Sequence, residues 1–358
     1  MKKYKICKII LVILAIFLCV AFYELLGICV AYKKQPEVSN TTKKETKNGS
    51  WNECSENTER AVIIEKNPEA LLQRVRLIKN AKKEIILSTF AFQSDESGKL
   101  ILGALHDAAD RGVHIRLLVD GMESWIDMEG NPYFYGLSSH ENVEIKLYNK
   151  ANPLKPWKIM GRMHDKYLIA DGKRYILGGR NTYNYFLGDF PGHKNYDRDV
   201  LVVCDEPEKE NSVNQLLEYF ETIWEQEDSG YFHDNKKLAN RKSVKNAVLE
   251  LQNGYQKYFE ENKERICDTD YTDETFETEK IALVSNPIHT GSKEPVVWYQ
   301  LGELMKNAKN RVKIHTPYII CNDMMYNTWE EIAENVSDFS IMTNSVANNG
   351  NPFGAADY

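Results

Sequence analysis

No Walker-type phosphate loop, no dinucleotide-binding glycine fingerprint and no zinc-ligand spacing occurs in the 358 residues of this chain. That absence argues against nucleotide-driven, nicotinamide-dependent and structural-zinc chemistries. Positive charge is not in excess either: 45 Lys and Arg stand against 52 Asp and Glu, a net charge of −7. Such a balance excludes a protein that coats nucleic acid through its overall field. Cysteine is sparse, seven in all, and outside the apolar N-terminus only Cys54, Cys204, Cys267 and Cys321 remain. Four is compatible with disulfides, but Cys204 closes the apolar run DVLVVC and reads as a packed thiol, so the redox compartment stays open. The acidic run DTDYTDETFETE lacks the spaced ligands and turn glycine of a calcium loop and reads as solvated linker.

Long apolar runs are also scarce, with one exception. Lys2, Lys3, Lys5 and Lys8 precede Ile9 to Tyr32, 24 residues interrupted by a single charge, Glu24. At about 1.5 Å per residue this stretch is long enough to cross a bilayer core of about 30 Å. No small-residue cleavage site follows it and Ile28 spoils a lipoprotein signal at Cys29, so an uncleaved single-pass anchor is favoured over a signal peptide. Lysines flank both ends, and the short lysine-rich start places the remainder on the extracytoplasmic side. Beyond the anchor (1–35), the composition predicts a polar linker (36–60), a first lobe (61–235), a charged helical connector (236–280) and a second lobe that begins at 281 and is incomplete at 358.

Within the first lobe the pattern alternates. Ala70 to Ala81 and Lys99 to Arg111 have helical spacing, whereas EIILSTFAF, VHIRLLVDG, VEIKLYN and DRDVLVVC read as strands. Val213, Leu216, Leu217, Phe220, Ile223 and Trp224 form one apolar helix face. The alternation predicts an α/β sandwich with a mixed sheet.

The chemistry concentrates in GRMHDKYLIADGKRYILGGRN, Gly161 to Asn181. It contains His164, Lys166 and Asp171 in an H-x-K-x4-D frame, followed by Gly178-Gly179-Arg180-Asn181. On a strand, residues two apart share a face, so His164 and Lys166 bring a nucleophile beside a fixed ammonium. Glycines and an amide one hairpin later suit phosphate oxygens. Asp171-Gly172 also fits a two-residue hairpin turn, which would explain Asp171 without catalysis. Further on, Asp197 or Asp199 could orient the histidine ring, as buried acids do elsewhere. His193 follows Pro191-Gly192 and reads as a turn residue. Lys146, Lys150, Lys155, Lys158, Arg162, Lys173 and Arg174 surround the motif together with Trp157, Ile159 and Met160, a basic and apolar rim suited to an anionic lipid headgroup.

This constellation, with the stretches Ala81 to Gly121 and Asp197 to Val203, resembles the phospholipase D superfamily and within it the cardiolipin synthase branch. The resemblance implies a phospholipase D-like α/β sandwich and reaction through a phosphohistidine without metal or other cofactor. It implies that His164 is nucleophile or acid, that Lys166, Gly179 and Asn181 contact phosphate, and that Asp171 supports the site. The implied partners are a membrane and phosphatidylglycerol as substrate, giving phosphatidyl transfer; a phospholipid or nucleic-acid hydrolase is the alternative, and nucleic acid the less favoured substrate. Members of the family carry two such motifs or complete a single one by homodimerisation, and only His164 sits in the frame here. A weak repeat indicates where the other belongs: Leu77 to Phe92 aligns with Leu304 to Ile319 at an offset of 227, with six identities in sixteen positions. The corresponding histidine would fall beyond Tyr358, so the expectation is a chain that stops inside its second repeat.

Overall fold

The computed structural model describes residues 2–33, 35–49, 59–204, 206, 211–233 and 235–345. Cys54, whose pairing the sequence leaves open, lies outside the described residues. In chain order the elements are α1 (Lys2–Tyr32), α2 (Asn40–Asn48), β1 (Glu59–Ile64), α3 (Asn67–Asn80), β2 (Glu84–Thr89), α4 (Glu96–Asp110), β3 (His114–Asp120), α5 (Glu123–Met128), α6 (Pro132–Ser138), β4 (Val143–Tyr148), β5 (Tyr167–Ala170), β6 (Arg174–Gly178), β7 (Asp199–Cys204), α7 (Ser212–Trp224), β8 (Ser229–Tyr231), α8 (Lys242–Glu261), α9 (Lys263–Cys267), β9 (Phe276–Glu277), α10 (Val296–Lys306), β10 (Arg311–His315), α11 (Asp323–Asn335) and β11 (Asp338–Met342). They divide into two compact units, a larger one of residues 1–34, 54–283 and 288–292 and a smaller one of 35–53, 284–287 and 293–358.

The larger unit is built on a nine-stranded sheet in the order β8-β4-β3-β2-β5-β6-β7-β1-β9. β2, β3 and β4 run parallel to one another, while every other neighbouring pair is antiparallel. The expected mixed sheet is therefore present. Its strands are apolar on both faces because both faces are covered. Ile85, Leu87, Ile115, Leu117, Val119, Leu168, Ile176, Leu201 and Val203 face one core with α3, α4, α6 and α8. Ile86, Leu118, Tyr167, Ile169, Tyr175, Val202 and Cys204 alternate to the other face, under Val213, Leu216, Phe220, Ile223 and Trp224 of α7. Cys204 is thus a core thiol, as its place in the strand predicted.

Two segments differ from the sequence reading. The charged stretch 236–280 packs on the first lobe: Val244, Ala247, Leu251, Tyr255 and Phe259 are buried along one side of α8. The acidic run folds back with it, because Arg76, itself buried, donates to the carbonyls of Asp268 and Asp270, pairs with Glu274 at 2.9 Å and lies over the Tyr271 ring at 3.9 Å. A buried guanidinium needs such partners, and Arg60 holds the rest of the run through the Thr272 and Thr275 carbonyls and Glu277.

The smaller unit contains α2, inside the expected polar linker. Ser39 caps that helix by accepting the Thr42 N–H at 3.1 Å, and Gly49 closes it at φ +74. Here β10 and β11 pair in parallel around α11, with Val312, Ile332 and Val336 as core. The repeat seen in the sequence is real at the level of topology: β10 opens its ladder at Arg311↔Asp338 as β2 opens at Glu84↔His114, and 84 and 311 are the same 227 residues apart.

Candidate active site

The motif does not lie on a strand. Residues 161–166 are extended but unpaired by ladder, and β5 starts only at Tyr167. His164 and Lys166 therefore sit on the approach to β5, at the edge where the parallel strands β2 and β3 end. The crevice outside the carboxyl ends of parallel strands is the usual ligand position in such sheets. Three other chain segments converge on the same edge: Phe90 after β2, Asp120 closing β3, and Gly178 to Asn181 after β6.

Lys166 is 6% exposed, whereas His164 is exposed as a residue, its ring partly enclosed. The Lys166 ammonium donates to the His164 carbonyl at 2.6 Å, which ties the two residues to one local conformation. Phe90 forms the floor: its ring meets the His164 ring edge-on at 4.7 Å, and the Lys166 Nζ lies 5.4 Å from its centroid. Burial pushes the Lys166 ammonium down to about 8, although Asp165 and Asp197 oppose the shift. Surrounding atoms desolvate His164 as well, and with the Lys166 charge they lower it to about 4. At neutral pH the site therefore holds a neutral imidazole with a lone pair beside a cation, the pairing that attack on an anionic phosphodiester needs.

Asn181 is buried, and its Oδ1 accepts the Ala91 N–H at 3.2 Å, so its amide nitrogen is the end left for a ligand. Gly179 serves through what it lacks. A Cβ there would fall 2.1 Å from Asp197 Oδ2, and its N–H points at the Arg198 carbonyl at 3.4 Å instead of into the site.

Asp171 is not brought to His164. It occupies the hairpin turn after β5 at φ +55, and its Oδ1 accepts the N–H groups of Lys82, Lys83 and Glu84 at 3.1, 2.7 and 3.0 Å. It anchors the start of β2 to the hairpin that carries the motif. Asp171→Ala should lower stability by about 1–3 kcal/mol, from the lost acceptor and the left-handed backbone, while turnover falls no more than about tenfold. Loss of turnover with an unchanged melting temperature would show that Asp171 acts in the chemistry instead.

Neither Asp197 nor Asp199 hydrogen-bonds the His164 ring. Asp197 lies beside Gly179 and supports the Lys166 charge. Asp199 is 2% exposed and accepts from Arg74 at 2.9 Å and Arg180 at 3.2 Å. The carboxylate that favours the charged form of His164 belongs to Asp120, which sequence reading missed. Its Oδ2 accepts the Met163 N–H at 3.1 Å and its Oδ1 pairs with Arg162 at 2.7 Å, fixing the two residues before the histidine. His193, exposed, rests 5.5 Å from the Tyr185 ring. The expected basic rim is mostly committed: Lys146 donates to the Trp224 carbonyl, Lys150 to the Tyr231 carbonyl, Lys158 pairs with Asp228 and Arg162 with Asp120. Among the described residues, no group of three or more His, Cys, Asp or Glu side chains is placed to hold a metal ion.

Comparison with known proteins bears on this α/β lobe, whose sheet is covered by helices on both faces and carries a histidine–lysine pair at its strand ends. Residues 74–224 match the family described as cardiolipin synthase, PLD-like domain. An uncharacterized protein of Helicobacter pylori (strain ATCC 700392 / 26695) is 27% identical over 315 residues, 80% of this chain and 59% of that protein. Cardiolipin synthase C of Escherichia coli (strain K12) is 29% identical over 171 residues, 44% of this chain and 34% of its own length. The crystal structure of phosphatidylserine synthase from Haemophilus influenzae Rd KW20 superposes with a TM-score of 0.58 at 15% identity, covering 87% of this chain and 67% of that one. Residues 74–224 thus resemble a phospholipase D-like domain of the cardiolipin synthase kind. The chain spans 59% of the length of the Helicobacter relative.

Proposed function

We propose that this chain carries the nucleophile-bearing lobe of a membrane-anchored phosphatidyltransferase that makes cardiolipin from phosphatidylglycerol. The observation that carries this reading is the neutral His164 held against the Lys166 ammonium at the ends of β2 and β3. His164 attacks the phosphorus of one phosphatidylglycerol, the bond from phosphorus to the headgroup glycerol breaks, and glycerol leaves with a proton from a general acid. The phosphatidyl group stays on the imidazole as a phosphohistidine. A hydroxyl of a second phosphatidylglycerol then attacks that phosphorus, freeing His164. Lys166 and the Asn181 amide stabilise negative charge on the non-bridging oxygens in both steps. Asp171 and Asp120 hold the motif in place without touching substrate.

Several features support the finer points. α1 provides a helix of 24 residues, Lys8–Ala31, long and apolar enough to cross a membrane, which suits a lipid substrate. The parallel β10–α11–β11 unit repeats the start of the first lobe, which fits a second lobe from about residue 281 that would supply the general acid. The relatives named cardiolipin synthase favour transfer over hydrolysis. Phosphatidylglycerol vesicles incubated with the full-length protein separate the outcomes: cardiolipin plus glycerol is expected. Phosphatidic acid in its place would make water the acceptor and the protein a hydrolase, and no turnover of phosphatidylglycerol would end the lipid assignment.

A further inference from the structure

The loop between β4 and the motif carries an apolar tip that no part of the chemistry above uses. Leu154 is 77% exposed, and Trp157 and Met160 project beside it at 44% and 58%. Lys155, between them, is exposed and makes no ion pair among the described residues. Isolated exposed apolar residues need no explanation, but three on one short loop do.

What covers them is indicated by α1. The loop touches that helix inside its apolar span, not beyond it. The Tyr23 hydroxyl donates to the Leu154 carbonyl at 3.1 Å, and Pro156 packs so close to Gly27 that a Cβ there would fall 2.6 Å from Cγ. Gly27 and Tyr23 lie four and eight residues before Ala31, the last residue of the span. At 1.5 Å per residue the contacts sit roughly 6 and 12 Å inward from that end. A segment touching a spanning helix at such depth is itself below the membrane surface.

The loop is built for that position. Backbone polar groups entering hydrocarbon must find partners within the protein. Asn152 Oδ1 accepts the Leu154 N–H at 2.9 Å, and the Leu154 carbonyl has Tyr23. The Lys155 N–H goes to the Asn152 carbonyl, Ile159 to Pro156, and Gly161 to Lys158. Asn149, at φ +51, turns its side-chain amide inward to the carbonyls of Lys158 and Gly161 at 2.7 and 2.9 Å. Proline at 156 removes one further donor. Lys155 has a stem long enough to return its ammonium to the headgroups.

We infer that residues 152–160 form a second membrane contact, a loop that inserts beside α1 with Leu154, Trp157 and Met160 in the acyl-chain boundary and Lys155 among anionic headgroups. This rests on α1 spanning the bilayer but not on the phosphatidyl-transfer reaction. Because residues 161–163 lead straight from the loop to His164, insertion would bring the site entrance to the lipid surface.

The test uses the full chain in mixed phosphatidylglycerol and phosphatidylcholine vesicles, with part of the phosphatidylcholine brominated near the carbonyl end of its chains. The chain should float with the vesicles after alkaline extraction. With Trp157 at interfacial depth, bromolipid quenching of tryptophan emission should fall by roughly half in Trp157→Phe, whereas Trp125→Phe, on α5 and more exposed at 67%, should leave it unchanged. Flotation with unchanged quenching in Trp157→Phe would overturn the inserted loop and leave the anchor standing. Failure to float would overturn both, with the phosphodiester chemistry untouched, since that is read by turnover.

Discussion

His164→Ala lowers turnover of the full-length protein by at least about 10^4-fold while the unfolding transition stays in place. His164 is an exposed residue whose ring meets Phe90 edge-on, so its removal costs little packing. It takes with it the lone pair on which the proposed reaction depends. A pH profile of kcat/KM gives an independent reading of the same pair, since that quantity reports the free protein. With His164 near 4 and Lys166 near 8, activity holds between those values. It falls below about 4, as the imidazole takes a proton and loses its lone pair, and falls above about 8, as the ammonium loses its charge. Full turnover in His164→Ala, or a profile rising through pH 8, would remove the nucleophile assignment.

The second large effect lies beneath the site. Asp199 is the only carboxylate that the described residues place between the buried guanidiniums of Arg74 and Arg180. Arg180 also reaches the Asn67 side chain at 3.1 Å, the Ile64 and Glu65 carbonyls at 3.2 and 2.8 Å, and the Asp197 carbonyl. It thereby joins β1, α3 and the strand that follows the glycine pair. Burial already pushes its guanidinium below the usual value. Asp199→Ala leaves two cations in the core with no counter-charge, a loss of about 3–5 kcal/mol. For a unit of this size that is a fall in melting temperature of roughly 10 °C, read by calorimetry or by urea unfolding. A fall under about 1 kcal/mol would mean that water enters and the pair is not load-sharing in the fold.

The fold class and the histidine–lysine frame were legible because their signal is local. Strand periodicity, the helix face from Val213 to Trp224 and the H-x-K-x4-D spacing all lie within single elements. Asp120 and the Arg74–Asp199–Arg180 cluster were not, since their members come together from positions as far apart as 125 residues. A lone aspartate at the end of VHIRLLVDG gives no hint that it will hold the chain before His164. The lysines around the motif misled for the complementary reason: composition counts charges, whereas folding gives Lys158 its Asp228 and Arg162 its Asp120. Arg76 and Arg60 likewise tie to the lobe an acidic stretch that read as free linker, although most of its carboxylates stay exposed. Asp171 was read both as site residue and as turn residue, and its left-handed backbone and three N–H partners favour the turn.

The hairpin β5–β6 stands at the centre of the sheet order, with β8-β4-β3-β2 on one side and β7-β1-β9 on the other. Until it docks, the sheet is two separate ribbons, and neither can bury its exposed edge. The pairing of β5 with β2 joins residues about 80 apart, so it belongs to the slow, non-local part of assembly. Reactivity and completion of the fold thus arrive together. Before docking, His164 and Lys166 are ordinary solvated side chains with ordinary proton affinities. An unfinished chain therefore lacks the enclosed histidine–lysine pair that the docked hairpin creates.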